Sequence, residues 1–172
     1  MTPGSVKIAV VATETPRAVF GLASYTPPHP RLIALTWGAE DLAAAIGSTA
    51  NRDESGGFTE PYRIVRSLCL FAAASAGVAP LDTLHADFRD LAGLATDCRA
   101  ARRDGFVGRL AIHPDQVEII NAAFTPSEAE VAHDHRIVEA FAANPGAGTL
   151  GIDGKMVDMP HLKAAQRLLA GV

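Results

Sequence analysis

The stretch Leu32–Gly47, LIALTWGAEDLAAAIG, constrains the rest of the chain. It opens with Leu32, Ile33, Ala34, Leu35 and Thr36, a short run with almost no polar side chain. Such runs suit strands covered on both faces, as in a parallel sheet. Trp37 and Gly38 close the run, and Asp41 stands where the next helix, Leu42–Ile46, is expected to begin. A carboxylate there lies at the carboxyl end of a strand and the amino end of a helix, the mouth where α/β folds bind ligands. The same place suits a plain helix N-cap, for which Asp is favoured and stabilises by roughly 1 kcal/mol. A second acid in an equivalent place upstream shifts the balance toward a ligand site.

That acid is Glu14. Val6–Thr13, VKIAVVAT, is another apolar, β-branched run, and Glu14 ends it. Thr15 supplies an N-cap hydroxyl and Pro16 occupies the first helical position, which predicts a helix to about Tyr25 burying Val19, Phe20 and Leu22. The plain alternative for Glu14 is an acid complementing that helix's dipole.

The remaining chain repeats the alternation. Ser48–Glu60, STANRDESGGFTE, reads either as a mobile rim over the mouth or as a disordered surface loop. Pro61–Ala76 is a long helix with Ile64, Leu68, Phe71 and Ala72 along one face. Leu81–Ala86 is a third strand, and Leu91–Asp104 a helix burying Leu91, Leu94 and Cys98. Gly108–His113 is a fourth strand, followed by a helix over Asp115–Ala123. Four strand-then-helix units predict a parallel sheet or barrel over residues 1–125. Residues 126–172 form an extension. It comprises a helix to about Ala143 with Val131, Val138 and Phe141 inward, and a hairpin over Thr149–Val157 around Asp153-Gly154. A last helix starts at Met159-Pro160 and buries Leu162, Ala165 and Leu169.

Composition excludes several partners. Net charge is −4 and no basic cluster exceeds Arg102-Arg103, so no nucleic-acid footprint is expected. No apolar run reaches the length of a membrane span, and Met1–Val6 has no signal-peptide pattern. Cys69 and Cys98 lack ligand-spaced partners and read as reduced packing residues of a cytoplasmic protein.

Five segments carry a further signal: ETPRAVF (Glu14–Phe20), LTWGAEDLAAAIG (Leu35–Gly47), ADFRD (Ala86–Asp90), AIHPDQVEIINAAFTPS (Ala111–Ser127) and DGKMVDMPHLKAAQ (Asp153–Gln166). Together they resemble the HpcH/HpaI aldolase/citrate lyase family, in its citrate lyase beta subunit-like branch. The resemblance implies a TIM (β/α)8-barrel fold, here about four βα units forming a partial barrel, plus a helical extension. It implies Mg²⁺-dependent carbon–carbon lysis or condensation, commonly on acyl-CoA thioesters, with Mn²⁺ as the alternative ion. Glu14 and Asp41 would then be the metal-ligating carboxylates, with Glu14, Gly38 and Ala39 against the substrate. Mg²⁺ takes one or two protein carboxylates and keeps waters, so substrate oxygens can fill the remaining positions. A metal beside the enolate formed on cleavage stabilises it by several kcal/mol.

The resemblance also implies that Asp158, on the extension, caps a neighbouring subunit's site and serves as its acid–base residue. From the residues alone, Asp158 reads first as a turn or helix-capping acid before Met159-Pro160. His113 reads as structural, His133 and His135 point to different sides of a helix, and Arg66 reads as a surface or ion-pair residue. Arg109 stands near the rim, where a contact to a CoA phosphate is a weak option. The family's amino-terminal strands, and with them an arginine that grips the substrate carboxylate, are not matched. A partial barrel leaves open strand edges, which predicts a homo-oligomer. Two other functions stay open, an inactive metal-binding or oligomerisation module and a pyruvate-type aldolase that does not use CoA.

Overall fold

The computed structural model describes residue 2 and residues 4–171. The chain divides into two compact units, Met1–Phe124 and Thr125–Val172. The first contains β1 (Ile8–Val11), α1 (Pro16–Phe20), a 3₁₀ turn (Leu22–Tyr25), β2 (Leu32–Thr36) and α2 (Glu40–Ile46). It continues with α3 (Glu60–Ala76), β3 (Ala79–Asp82), α4 (Leu91–Asp104), β4 (Gly108–Arg109) and α5 (Asp115–Phe124). The four strands pair in the order β1-β2-β3-β4, all parallel, with Val10 opposite Leu35 and Leu81 opposite Gly108. This is the expected alternation, with shorter strands: β3 ends at Asp82 and β4 at Arg109.

Leu35, Trp37, Ala12 and Leu42 form the core with the inner stripe of α3, namely Tyr62, Val65, Cys69 and Ala73. That stripe follows helical spacing and narrows to small residues, which lets the helix approach the sheet closely. The apolar stripe emphasised by the sequence reading is the other one: Ile64, Leu68 and Phe71 are exposed, Phe71 by 65%. Phe20 is likewise 90% exposed rather than buried, because α1 stops there at one and a half turns and the chain tightens into the 3₁₀ turn. Burial pushes the Cys69 thiol up to about 12, as expected of a packing residue.

The polar segment before α3 is built rather than loose. Asp53 Oδ1 accepts from the Ser55 and Gly57 amides, each at 3.0 Å, and from Ser55 Oγ at 2.6 Å. The Arg52 guanidinium lies 4.0 Å above the Phe58 ring and pairs with Asp97 at 3.2 Å. Phe58 in turn meets Trp37 edge-on at 4.9 Å.

A buried ion cluster sits between strands and helices. Asp82, 1% exposed, accepts from Arg109 Nη2 at 2.7 Å, from Arg66 Nη2 at 3.2 Å and from the Thr83 amide at 2.9 Å. Arg109 is therefore no rim residue. It lies opposite Asp82 across the β3–β4 pair, and its side chain is 2% exposed. Arg66 is the ion-pair residue expected, reaching Asp104 as well at 2.7 Å.

The second unit contains α6 (Glu128–Ala143), β5 (Thr149–Ile152), β6 (Lys155–Asp158) and α7 (Met159–Leu169). A Ser127–Glu130 capping box starts α6. The β5–β6 turn has positive φ at Asp153 (51°) and Gly154 (74°), the pattern of a two-residue type I′ hairpin. Ile137, Phe141, Val157 and Ala165 form this unit's own core.

Candidate metal centre

The site grows out of the place where β1 and β2 end. Thr13 follows β1 and is completely buried, and Glu14 follows it into solvent. After β2, Trp37 turns inward at 0% exposure and Gly38 and Ala39 lead into α2, of which Asp41 is the second residue. The N-cap residue is Ala39, with no side-chain cap bond, so Asp41 does not cap the helix. Glu14 and Asp41 line one small depression of about 100 Å³, closed by Val11, Leu84 and Leu110.

The neighbouring Glu40 accepts from Asn51 Nδ2 at 2.8 Å, whereas Glu14 and Asp41 have no hydrogen bond or ion pair among the described residues. Two free carboxylates at one mouth are a donor set for a hard divalent cation that keeps open positions. Among the described residues no group of three or more His, Cys, Asp or Glu could hold an ion by itself. The donor set therefore fits Mg²⁺, and fits zinc poorly.

Gly38 lies close beneath two side chains. A Cβ there would stand 3.2 Å from Glu14 Cγ and 3.2 Å from Val11 Cγ1. Its amide is already engaged, donating to Thr13 Oγ1 at 3.1 Å, and Ala39 is buried. Gly38 thus shapes the floor beneath Glu14 and is not a free donor.

Asp158 belongs to the second unit. It is the N-cap of α7, accepting from the His161 amide, and it lies 2.5 Å from His161 Nδ1. The hydrogen bond from His161 holds its carboxyl below the usual carboxylate range. His113 stacks on Phe88 at 4.8 Å and accepts from the Asp115 amide, a structural role. His133 pairs with Arg136, and His135 takes no part in a metal set.

Sequence reasoning missed Thr13 and Asp82. Thr13 looked like one more strand residue. Asp82 carried a usable signal, since an acid interrupting an apolar run is almost never buried without counter-ions.

A parallel sheet with a helix after each strand, and two unpaired carboxylates at the ends of adjacent strands, make this an α/β protein with an acidic mouth at its strand ends. The chain belongs to the HpcH/HpaI aldolase/citrate lyase family, whose model matches residues 2–114. It is 34% identical over 160 residues to a citrate lyase subunit beta-like protein of Mycobacterium tuberculosis, covering 93% of this chain and 58% of the relative. It is 38% identical over 144 residues to a (3S)-malyl-CoA thioesterase of Cereibacter sphaeroides, covering 83% and 49%. Among solved structures it is similar to Mycobacterium tuberculosis CitE in complex with magnesium, acetoacetate and coenzyme A. There the TM-score is 0.77 at 33% identity, over 91% of this chain and 57% of that one. A Burkholderia xenovorans citrate lyase gives 0.78 at 25% identity, over 96% and 52%. The four βα units are thus a partial TIM-type barrel, and the chain spans about half the length of these relatives.

Proposed function

We propose that this chain carries the metal-holding half of a Mg²⁺-dependent carbon–carbon lyase acting on the acyl-CoA thioester of a 3-hydroxy acid. The observation behind this reading is the pair Glu14 and Asp41, both without partners and both lining one depression. The named relatives support the substrate class, being a malyl-CoA thioesterase and, at 34% identity, a mitochondrial citramalyl-CoA lyase of Rattus norvegicus. Mn²⁺ serves as the alternative ion.

Glu14 and Asp41 would hold the ion, leaving its other positions to water and substrate oxygens. When bound, Mg²⁺ supplies Lewis-acid stabilisation to the negative charge that carbon–carbon cleavage develops. Gly38 and Ala39 form the floor that brings substrate against Glu14, and Val11, Leu84 and Leu110 keep water off one side. Asp158, kept ionised by His161, is the candidate acid–base residue, acting on a neighbouring subunit's site. That role calls for a homo-oligomer, which the open edges at β1 and β4 also favour.

Titration with Mg²⁺ or Mn²⁺ tests the centre, with Asp41→Ala expected to lose binding. Unchanged affinity in that variant would overturn the assignment. Light scattering tests the assembly, and a monomer stable to dilution contradicts it.

A further inference from the structure

Where β1 and β2 part, the backbone ladder runs out. The Ala12 amide still donates to the Thr36 carbonyl at 2.8 Å. The donor beyond it, the Gly38 amide, goes instead to a side chain, Thr13 Oγ1, at 3.1 Å. We infer that Thr13 is a positioning residue that sets the spacing between Glu14 and Asp41 through this hydroxyl bond. The inference rests on the reading of those two acids as metal ligands.

Three observations carry it. Thr13 immediately precedes Glu14 and is 0% exposed, so its side chain cannot turn to solvent for a substitute partner. Gly38 lies three residues before Asp41 and against Glu14, with only 3.2 Å from an added Cβ to Glu14 Cγ. Any slackening of this turn therefore moves both acids relative to each other. On its far side the turn is already fastened, because Trp37 Nε1 donates to Asp82 Oδ1 at 2.6 Å. The β3 side is fixed by that bond, and the β1 side is fixed by Thr13. A threonine hydroxyl here prolongs the sheet by one hydrogen bond beyond its backbone end, at the level where the carboxylates emerge. Groups that orient metal ligands without touching the metal commonly change its affinity by about 10- to 100-fold when removed.

The test uses Mn²⁺ as the probe on the full chain, read by the paramagnetic signal of the free ion and by calorimetry. Thr13→Val keeps the branched shape and removes the acceptor, while Thr13→Ser keeps the acceptor. The expected result is Mn²⁺ affinity weakened about 10- to 100-fold in Thr13→Val and close to that of the unaltered protein in Thr13→Ser. Exchange of the Gly38 amide with solvent should quicken in the first variant alone. If Thr13→Val does not fold, Thr13→Ala carries the same comparison without the added methyl. Mn²⁺ affinity unchanged in the hydroxyl-less variant, while Asp41→Ala loses it, overturns the role of Thr13. Mn²⁺ binding that survives Asp41→Ala overturns the metal centre itself, and the role of Thr13 with it.

Discussion

The indole Nε1 of Trp37 donates to Asp82 Oδ1 at 2.6 Å, and both side chains are at most 1% exposed. This bond ties the turn carrying Asp41 to a carboxylate that also receives Arg66 and Arg109. One buried acid thus fastens β2, β3, β4 and α3 behind the mouth.

Removing that acid leaves two guanidinium groups without their shared partner. Asp82→Ala should lower stability by about 3–5 kcal/mol, the range for breaking a buried ion pair from one side. Urea unfolding followed by the Trp37 fluorescence checks this. A loss under about 1 kcal/mol, the range of exposed pairs, would show that the cluster is dispensable.

Glu14 and Asp41 should behave in the opposite way. Both are exposed and without partners, so Glu14→Gln and Asp41→Asn should shift stability by no more than about 0.5 kcal/mol. Each should nevertheless abolish the stabilisation that Mg²⁺ gives the unaltered protein in thermal unfolding. Equal Mg²⁺-dependent shifts in all three proteins would rule the pair out.

The two stripes of α3 make a direct comparison. Tyr62→Ala empties a core position and should cost about 3–5 kcal/mol. Phe71→Ala, on the exposed stripe, should cost no more than about 0.5 kcal/mol. A large loss at Phe71 in chemical denaturation would mean that this stripe is covered in solution.

Asp158 gives the pH dependence of the second unit. Its carboxyl is held low by the His161 hydrogen bond, so the folded form binds its proton less readily than the unfolded chain. The stabilisation is therefore complete above the ordinary carboxylate value of about 3.9 and is lost as pH falls through the lower folded value. Followed by the amide signals of α7, the unaltered protein should hold this helix start at neutral pH and release it in acid. Asp158→Asn should remove that pH dependence, and an identical acid profile in both proteins would contradict the assigned contact.

The alternation of short apolar runs with capped helices was legible in the sequence because strand burial and helix starts leave local marks. The bounds of β2 and α4, the Asp153-Gly154 turn and the start at Pro16 all follow from residues within a few positions of one another. The two strand-end acids were legible for the same reason. What was not legible depended on distant residues. Whether α3 buries Tyr62 or Phe71 is decided by the sheet it meets, since both stripes are apolar and only the one with small residues allows close approach. Arg109 looked like a rim residue until its partner Asp82, 27 positions away, drew it beneath the surface.

The sequence by itself determined which elements form and which acids stand at their ends, because both are written in neighbouring side chains. Only the tertiary structure decided that Glu14 and Asp41 share a depression and stay unpaired. It also decided that Asp41 is not a cap and that the Thr13 hydroxyl reaches across 25 positions to the Gly38 amide. Those outcomes depend on strand register and on which polar groups are left without a backbone partner when a sheet ends. Both are properties of the folded arrangement, and no local run of residues encodes them.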